Sequence, residues 1–596
     1  MRRKIPGIIV LTVLALALGA SAAQSDAQRY LDDIKTLSAP SMEGRGAGTK
    51  GLERAAHFLE QRYKSLGLEP AGTESYFQPF KLVTGAQLKS DNHLQVGKTE
   101  LKLNQDFVPF SFSASGVAGG PVVFAGYGAS ATEFGYDDYA GMDVKDKIVV
   151  VLRYEPSGFT AGKHEQTQHA QLITKAINAR DRGAKAVVVI NGKLGDGEED
   201  LLTRFGSVSG PRDSGIILVQ VKNAVAEKWF QDAGKSLVEI QSHINSSSKP
   251  NSFAFPDSLH ISLKVNIEST QATVNNVLAY LPGQTDEYII VGAHYDHLGR
   301  GNFDSLAPDQ IGQIHPGADD NASGTAGVLE LARRFAPLKG QLHRGILFMS
   351  FAGEELGLLG SAEWVARPTR PLDKAVAMLN MDMIGRIKDD KVFIGGVGTG
   401  STFQNVLDQA QAKSKSGFKI EYSPGGPASS DHTSFIVKHV PALFFFSGLH
   451  ADYHKPSDTW EKINSEEAVR LLDLVQDVSQ QLASASERPS FVAVVENRPS
   501  GTSGGGGGYG PYFGSIPDFG QVENGVRFSD VRAGSPAAKA GLKPGDVLIQ
   551  FGDKPIKNLY DFTDALRRSK VGDVVEVKVL RGQEPITVNV KLEQRR

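Results

Sequence analysis

The sequence predicts an α/β protein, a mixed β-sheet sandwiched by helices, with a β-rich domain inserted into it and a small separate domain at its end. Three observations predict this. Outside residues 116–254, short apolar runs of strand length alternate with longer runs at helical spacing, the order that builds a helix-covered sheet. Within 116–254 the apolar runs are mostly short and strand-like. Five consecutive glycines, Gly504 to Gly508, then separate a last stretch that has its own complete pattern. The 596 residues exceed what one core usually holds, roughly 250–300 residues.

In chain order, Arg2, Arg3 and Lys4 precede an apolar run from Ile8 to Leu18 that ends in Ala20-Ser21-Ala22, the form of a secretory signal over residues 1–22. At about a dozen residues the run is short for a membrane span, which needs about 20, so a secreted or periplasmic bacterial protein without a stable span after signal removal is expected. No cysteine occurs anywhere, so disulfides and thiolate metal sites are excluded. The formal charge of -3 becomes about -6 without the three leader cations, and no basic block follows, which argues against nucleic acid as a partner.

Residues 23–115 and 255–487 are expected to form the main α/β domain. Strands are predicted at 288–293, 345–351, 375–381, 391–394 and 441–446, and helices at 52–65, 323–335, 401–412 and 466–483. In the first helix Leu52, Ala55, Ala56, Leu59 and Tyr63 share one face, a buried stripe. Between them, 116–254 carries the strand-like runs "GPVVFAGYG", "KDKIVVVLR", "KAVVVING" and "GIILVQV", with a helix over 171–182. His164 and His169 within it read as surface residues. Residues 488–511 read as a linker, and as a random coil its 14-residue glycine-rich part, 498–511, spans about 20 Å. Residues 512–596 follow as a domain.

The chemistry is concentrated in six segments: "HYDH" at 294–297, "GADDN" at 317–321, "GEE" at 353–355, "NMDM" at 380–383, "SSDH" at 429–432 and "DYHKPSDT" at 452–459. His294 and Asp296 sit two apart at a strand end, a nitrogen ligand beside a carboxylate of the kind that fixes a ligand's tautomer. Asp320 lies at the junction where Asn321 and Ser323 can cap the next helix, and a carboxylate fixed there can bridge two cations. Glu354 and Glu355 are adjacent acids that a cation reconciles, one as ligand and one facing water. Asp382 ends another apolar strand, and His454 lies in a loop. One histidine per ion with bridging and terminal carboxylates suits zinc, while manganese and cobalt also fit the ligand types. Asp431 and His432 read equally as a helix cap with a packed ring or as residues beside the ions. His297, His315 and His450 rank as supporting residues rather than ligands. The long loop 298–316 is expected to wall a cleft, and Arg386 to meet either a substrate group or a surface acid.

The ordered set "HYDH…GADDNASG…GEELGLLGS…NMDM…SSDH…DYHKPSDT" resembles the di-zinc aminopeptidases of peptidase clan MH, which include bacterial leucyl aminopeptidases. "EGRGAGTKGLERAAHFLEQRYKSLGLEPAG" resembles the first helix of the same zinc exopeptidase fold, the insertion resembles a protease-associated domain, and "AGSPAAKAGLKPGDVLIQFGDKPI" resembles a PDZ domain of the bacterial protease type. The resemblance implies two Zn2+ per subunit, one on His294 and Asp382 and the other on Glu355 and His454, with Asp320 bridging. It implies Glu354 as the general base that takes a proton from a bridging water, Asp296 as the residue that orients His294, and a cis peptide between Asp320 and Asn321. Asp431 and His432 match a family position near the ions. The implied substrates are peptides with a free N-terminus, and the implied PDZ ligand is a peptide or protein C-terminus. Two other readings stay open: a carboxypeptidase or dipeptidase of the same clan, which needs a cationic clamp, and a PDZ-bearing binding protein whose peptidase domain has decayed.

Overall fold

The structure is a computed structural model and describes residues 25–160, 167–193, 199–206, 213–302, 304–414, 416–425, 430–494, 510–517, 524–532 and 534–594. The leader at 1–22, His164 and the glycine run lie outside the described residues.

The main sheet has nine strands. At its centre Gly345–Phe351, Tyr288–His294, Ala375–Met381 and Ala442–Phe446 run parallel in that spatial order. The long strand Ile267–Leu281 pairs antiparallel with Gly345–Phe351 on one side and with Phe77–Leu88 further out. Lys391–Gly395 and Lys419–Ser423 complete the far edge. The first three central strands are buried along their whole length, as expected where helices cover both faces. Alternate residues divide between two cores. Ile289, Val291, Ala293, Ile346, Phe348, Leu379 and Met381 pack with Asp26–Leu37, Lys50–Ser65, Gly324–Phe335 and Ser465–Ser484. Tyr288, Ile290, Leu347, Met349, Phe351 and Met378 pack on the other face with Trp364 and Phe435.

The predicted elements of this domain appear within two residues of their expected ends. Three helices lacked a prediction. Asp26–Leu37 precedes the first predicted element, while Leu359–Ala366 and His432–Val437 are only 8 and 6 residues long, too short to show a helical period.

The inserted domain is built on a second nine-stranded sheet, whose core Gly116–Phe124, Ile148–Leu152, Ala186–Ile190 and Ile217–Val221 is parallel. Its sheet is wider than 116–254. The hairpin His93–Val96 and Thr99–Leu101, the strand Phe107–Pro109 and the strand His260–Val265 all pair into it. Strand-type sequence runs through both crossings without a compositional break, so hydrogen bonding alone marks the border. His169 is also not a surface residue: it is buried, with Nε2 2.7 Å from Glu133 Oε1 and its ring edge-on to Phe159.

The C-terminal domain has the sheet order Ser515–Pro517, Val526–Val531, Val547–Phe551, Val574–Arg581, Glu584–Lys591. Phe513 belongs to its core, among Phe528, Phe551 and Phe562. Polar pairs join its helix Leu559–Arg568 to the inserted domain: Arg180 donates to the buried Asp561 at 2.6 Å, and Arg568 to Asn178 Oδ1 at 2.6 Å. Lys554 adds a 3.0 Å ion pair with Asp181.

Candidate metal centre

The ligand candidates gather at one edge of the sheet, the carboxyl ends of its four central parallel strands, where ligands sit in open α/β sheets. His294 is the last residue of its strand, Glu354 and Glu355 follow Gly345–Phe351 by three and four residues, and Asp382 directly follows Ala375–Met381. His454 lies on the loop after Ala442–Phe446, and Asp320 on the turn before Gly324–Phe335.

The donor atoms form two sets that share Asp320. Its Oδ1 lies 3.5 Å from His294 Nε2, and its Oδ2 lies 3.4 Å from His454 Nε2. His294 Nε2 is 3.4 Å from Asp382 Oδ1, and His454 Nε2 is 3.1 Å from Glu355 Oε2. Two ligand atoms on one tetrahedral zinc, each about 2.0–2.1 Å from it, sit about 3.3 Å apart. All four separations bracket that edge length. His454 Nε2 is buried against these oxygens, and its Nδ1 lies 2.9 Å from the Asp304 carbonyl. The residues fit a pair of zinc ions. The peptide bond between Asp320 and Asn321 is cis.

Glu354 Oε2 lies 3.9 Å from His294 Nε2, outside the tetrahedral spacing but against the same cluster. Burial holds its carboxyl well above the usual range, and the charges of Asp382 and Glu355 add to that. Burial likewise pushes Glu355 up, but His297 and His454 outweigh it and leave Glu355 well below that range.

Asp296 acts on its neighbours differently from the expected carboxylate–imidazole contact. His294 Nδ1 lies 3.2 Å from the backbone carbonyl of Asp296 and 3.8 Å from its Oδ1. The carboxylate instead accepts the Glu354 backbone N–H at 3.1 Å. Burial pushes its carboxyl up to about 6.

In "SSDH" the residue touching a donor is Ser430, which donates to Asp382 Oδ2 at 2.7 Å and accepts from Asn380 Nδ2 at 2.8 Å. Asp431 is fully buried and its carboxyl is pushed up to about 7 by that burial. His432 stacks on Phe444 at 4.5 Å. Arg386 pairs with Asp452 at 3.3 Å.

Several supporting residues had no role assigned from sequence. The carboxylate of Asp458, in the quoted "KPSDT", accepts the backbone N–H groups of Asp319 at 3.0 Å and Asp320 at 3.1 Å. Asp319 itself accepts the Gly385 N–H at 2.7 Å through Oδ1, and its Oδ2 lies 3.1 Å from His450 Nε2. Asn321 ties the same turn to the Asp382 strand, donating to Met381 O at 3.0 Å while its Oδ1 accepts from Gly324 and Met383. Arg45, fully buried, donates to four carbonyls, those of Leu37, Tyr295, Pro316 and Gly317, all within 2.7–2.8 Å. One guanidinium thus clamps the turns after His294 and before Asp320. Tyr453 stacks on His454 at 3.9 Å. Burial, with the charges of Asp320, Glu355, Asp382 and Glu354, pushes its phenol far up, so it remains an O–H donor. A signal existed for Asp319, Asn321, Tyr453 and Asp458, which lie inside the quoted motifs.

A helix-covered sheet with a carboxylate-rich, two-histidine cluster at its strand ends defines a metal-dependent hydrolase. Residues 276–479 match peptidase family M28. Residues 117–229 match the PA domain and 517–592 the PDZ domain. The chain is similar to Aminopeptidase YwaD of Bacillus subtilis, 25% identical over 375 residues that make up 60% of this chain and 67% of that protein. A probable leucine aminopeptidase of Arthroderma otae is 30% identical over 220 residues, 35% of this chain and 58% of that relative. Among solved structures, an aminopeptidase from Aneurinibacillus sp. strain AM-1 aligns over 79% of this chain and 96% of its own, with 24% identity and a TM-score of 0.49.

Proposed function

We propose that this protein is an exported zinc-dependent aminopeptidase that removes N-terminal residues from peptides, with two ions on His294, Asp320, Glu355, Asp382 and His454. The observation that carries the reading is Asp320, whose two oxygens face two different histidines at one ligand-edge spacing. When bound, the ions supply Lewis acidity at the scissile carbonyl and lower the pKa of the attacking water. Glu354 takes the proton from that water and returns it to the leaving amine, a role suited to a buried carboxyl whose proton affinity is raised. Asp296 holds Glu354 in reach through its backbone N–H. Tyr453 offers its O–H to the negative charge that develops on the carbonyl oxygen.

Charge supports a free amine as the recognised end of the substrate. Asp296, Asp320, Glu354, Glu355 and Asp382 make the cluster rich in carboxyl groups, an acidic setting that suits an ammonium group. Of the two arginines that could clamp a free carboxylate, Arg386 is engaged by Asp452 at 3.3 Å, while exposed Arg300 donates to the Gly312 carbonyl at 3.2 Å. The relatives' names point the same way. Export rests on the leader pattern at 1–22, and among the described residues no helix is long and apolar enough to cross a membrane. The C-terminal domain is proposed to take a peptide C-terminus along its edge strand.

Mass spectrometry of a ten-residue peptide incubated with the zinc-loaded protein tests the reading. A ladder shortened from the N-terminus is expected, and a ladder shortened from the C-terminus overturns it.

A further inference from the structure

We infer that His297 is a positioning residue for Glu355, holding one oxygen of that carboxylate so that the other is presented to a single ion. The inference rests on the two-ion reading. The side chain of His297 is fully buried, and its Nδ1 lies 2.6 Å from Glu355 Oε1. That distance is too short for two ligands of one tetrahedral zinc, about 3.3 Å apart. Nδ1 is also 3.9 Å from Asp320 Oδ2, too far for the same edge. An ionised carboxylate only accepts, so the proton is on Nδ1 and the contact is a charge-assisted hydrogen bond.

The residue is held at its backbone and packed against Gly317, while Nε2 is buried without a hydrogen-bond partner. The His297 backbone N–H donates to Arg45 O at 3.2 Å. Gly317 closes over the ring so tightly that a Cβ there would lie 2.4 Å from His297 Cδ2. Glu355 is left with Oε2 toward His454 Nε2 at 3.1 Å. The other terminal carboxylate repeats the plan with a different donor: Ser430 holds Asp382 Oδ2 at 2.7 Å, and Oδ1 faces His294 Nε2. Each ion therefore has its own supporting donor, an imidazole for one and a hydroxyl for the other. Loss of His297 should weaken one ion and spare its neighbour.

The test is zinc binding by full-length apoprotein in competition with a chromophoric chelator, for the wild type, His297→Ala, His297→Gln and His297→Asn. Asparagine carries its amide nitrogen on the same atom as Nδ1 of histidine, whereas glutamine carries it one atom further out. His297→Ala and His297→Gln should raise one of the two zinc dissociation constants about 10- to 100-fold and leave the other nearly unchanged. His297→Asn should recover most of that loss. Unchanged zinc binding in His297→Ala, an equal fall at both sites, or His297→Asn as weak as His297→Gln overturns the inference. If His297→Ala does not fold, the Asn and Gln pair decides alone. A wild type that binds no zinc overturns instead the two-ion reading beneath it.

Discussion

Asp296 holds His294 with its backbone carbonyl, 3.2 Å from Nδ1, and holds Glu354 with its carboxylate, which accepts that residue's backbone N–H at 3.1 Å. One residue thereby couples a metal-ligand candidate to the candidate base. The backbone carbonyl survives any substitution, and asparagine keeps an acceptor for the Glu354 N–H. Asp296→Ala should therefore be less stable than Asp296→Asn by about 1–3 kcal/mol, the cost of a buried unpaired donor. Urea unfolding of the two variants measures the difference.

Glu354 Oε2 lies 3.9 Å from His294 Nε2, and the proposed reading makes it the base and not a ligand. Glu354→Gln should retain its metal content by elemental analysis while kcat falls at least about 100-fold, the lower end of general-base contributions. Near wild-type turnover would remove Glu354 from the mechanism.

Asp458 holds the turn that carries Asp320 by accepting two consecutive N–H groups. Asp458→Ala frees that turn and should lower zinc affinity about 10- to 100-fold, the range seen for residues that orient ligands. Because Asp320 is shared, both ions should weaken, unlike the one-sided loss expected at His297.

Arg45 bonds carbonyls that lie 250 to 272 residues further along the sequence. Arg45→Met removes the guanidinium from four carbonyls, of which Gly317 O still accepts the Ala322 N–H at 3.2 Å, and takes a buried cation from a field of acids. A loss of about 3–5 kcal/mol in unfolding free energy is expected, read as a lower urea midpoint at unchanged slope.

The parallel core was legible because strands such as Gly345–Phe351 and Ala375–Met381 are continuous apolar runs, and their ends carry the acids. The ligand candidates read from sequence lie at or just past strand ends or at a helix junction, except His454, which lies in a loop. Arg45 was not legible, since its partners are backbone carbonyls from three segments and carry no residue type to recognise. The role of Asp296 was half legible: its place beside His294 could be read, but its carboxylate's acceptor contact comes from the Glu354 turn. The border of the inserted domain was misplaced because hydrogen bonding, and not composition, decides which sheet His93–Val96 joins.

The most direct measurement compares hydrolysis of leucine anilide with that of its N-acetylated form by the zinc-loaded protein. An acidic cluster that recognises the free ammonium should cleave the first and leave the second essentially intact. Equal rates on both would contradict the aminopeptidase account.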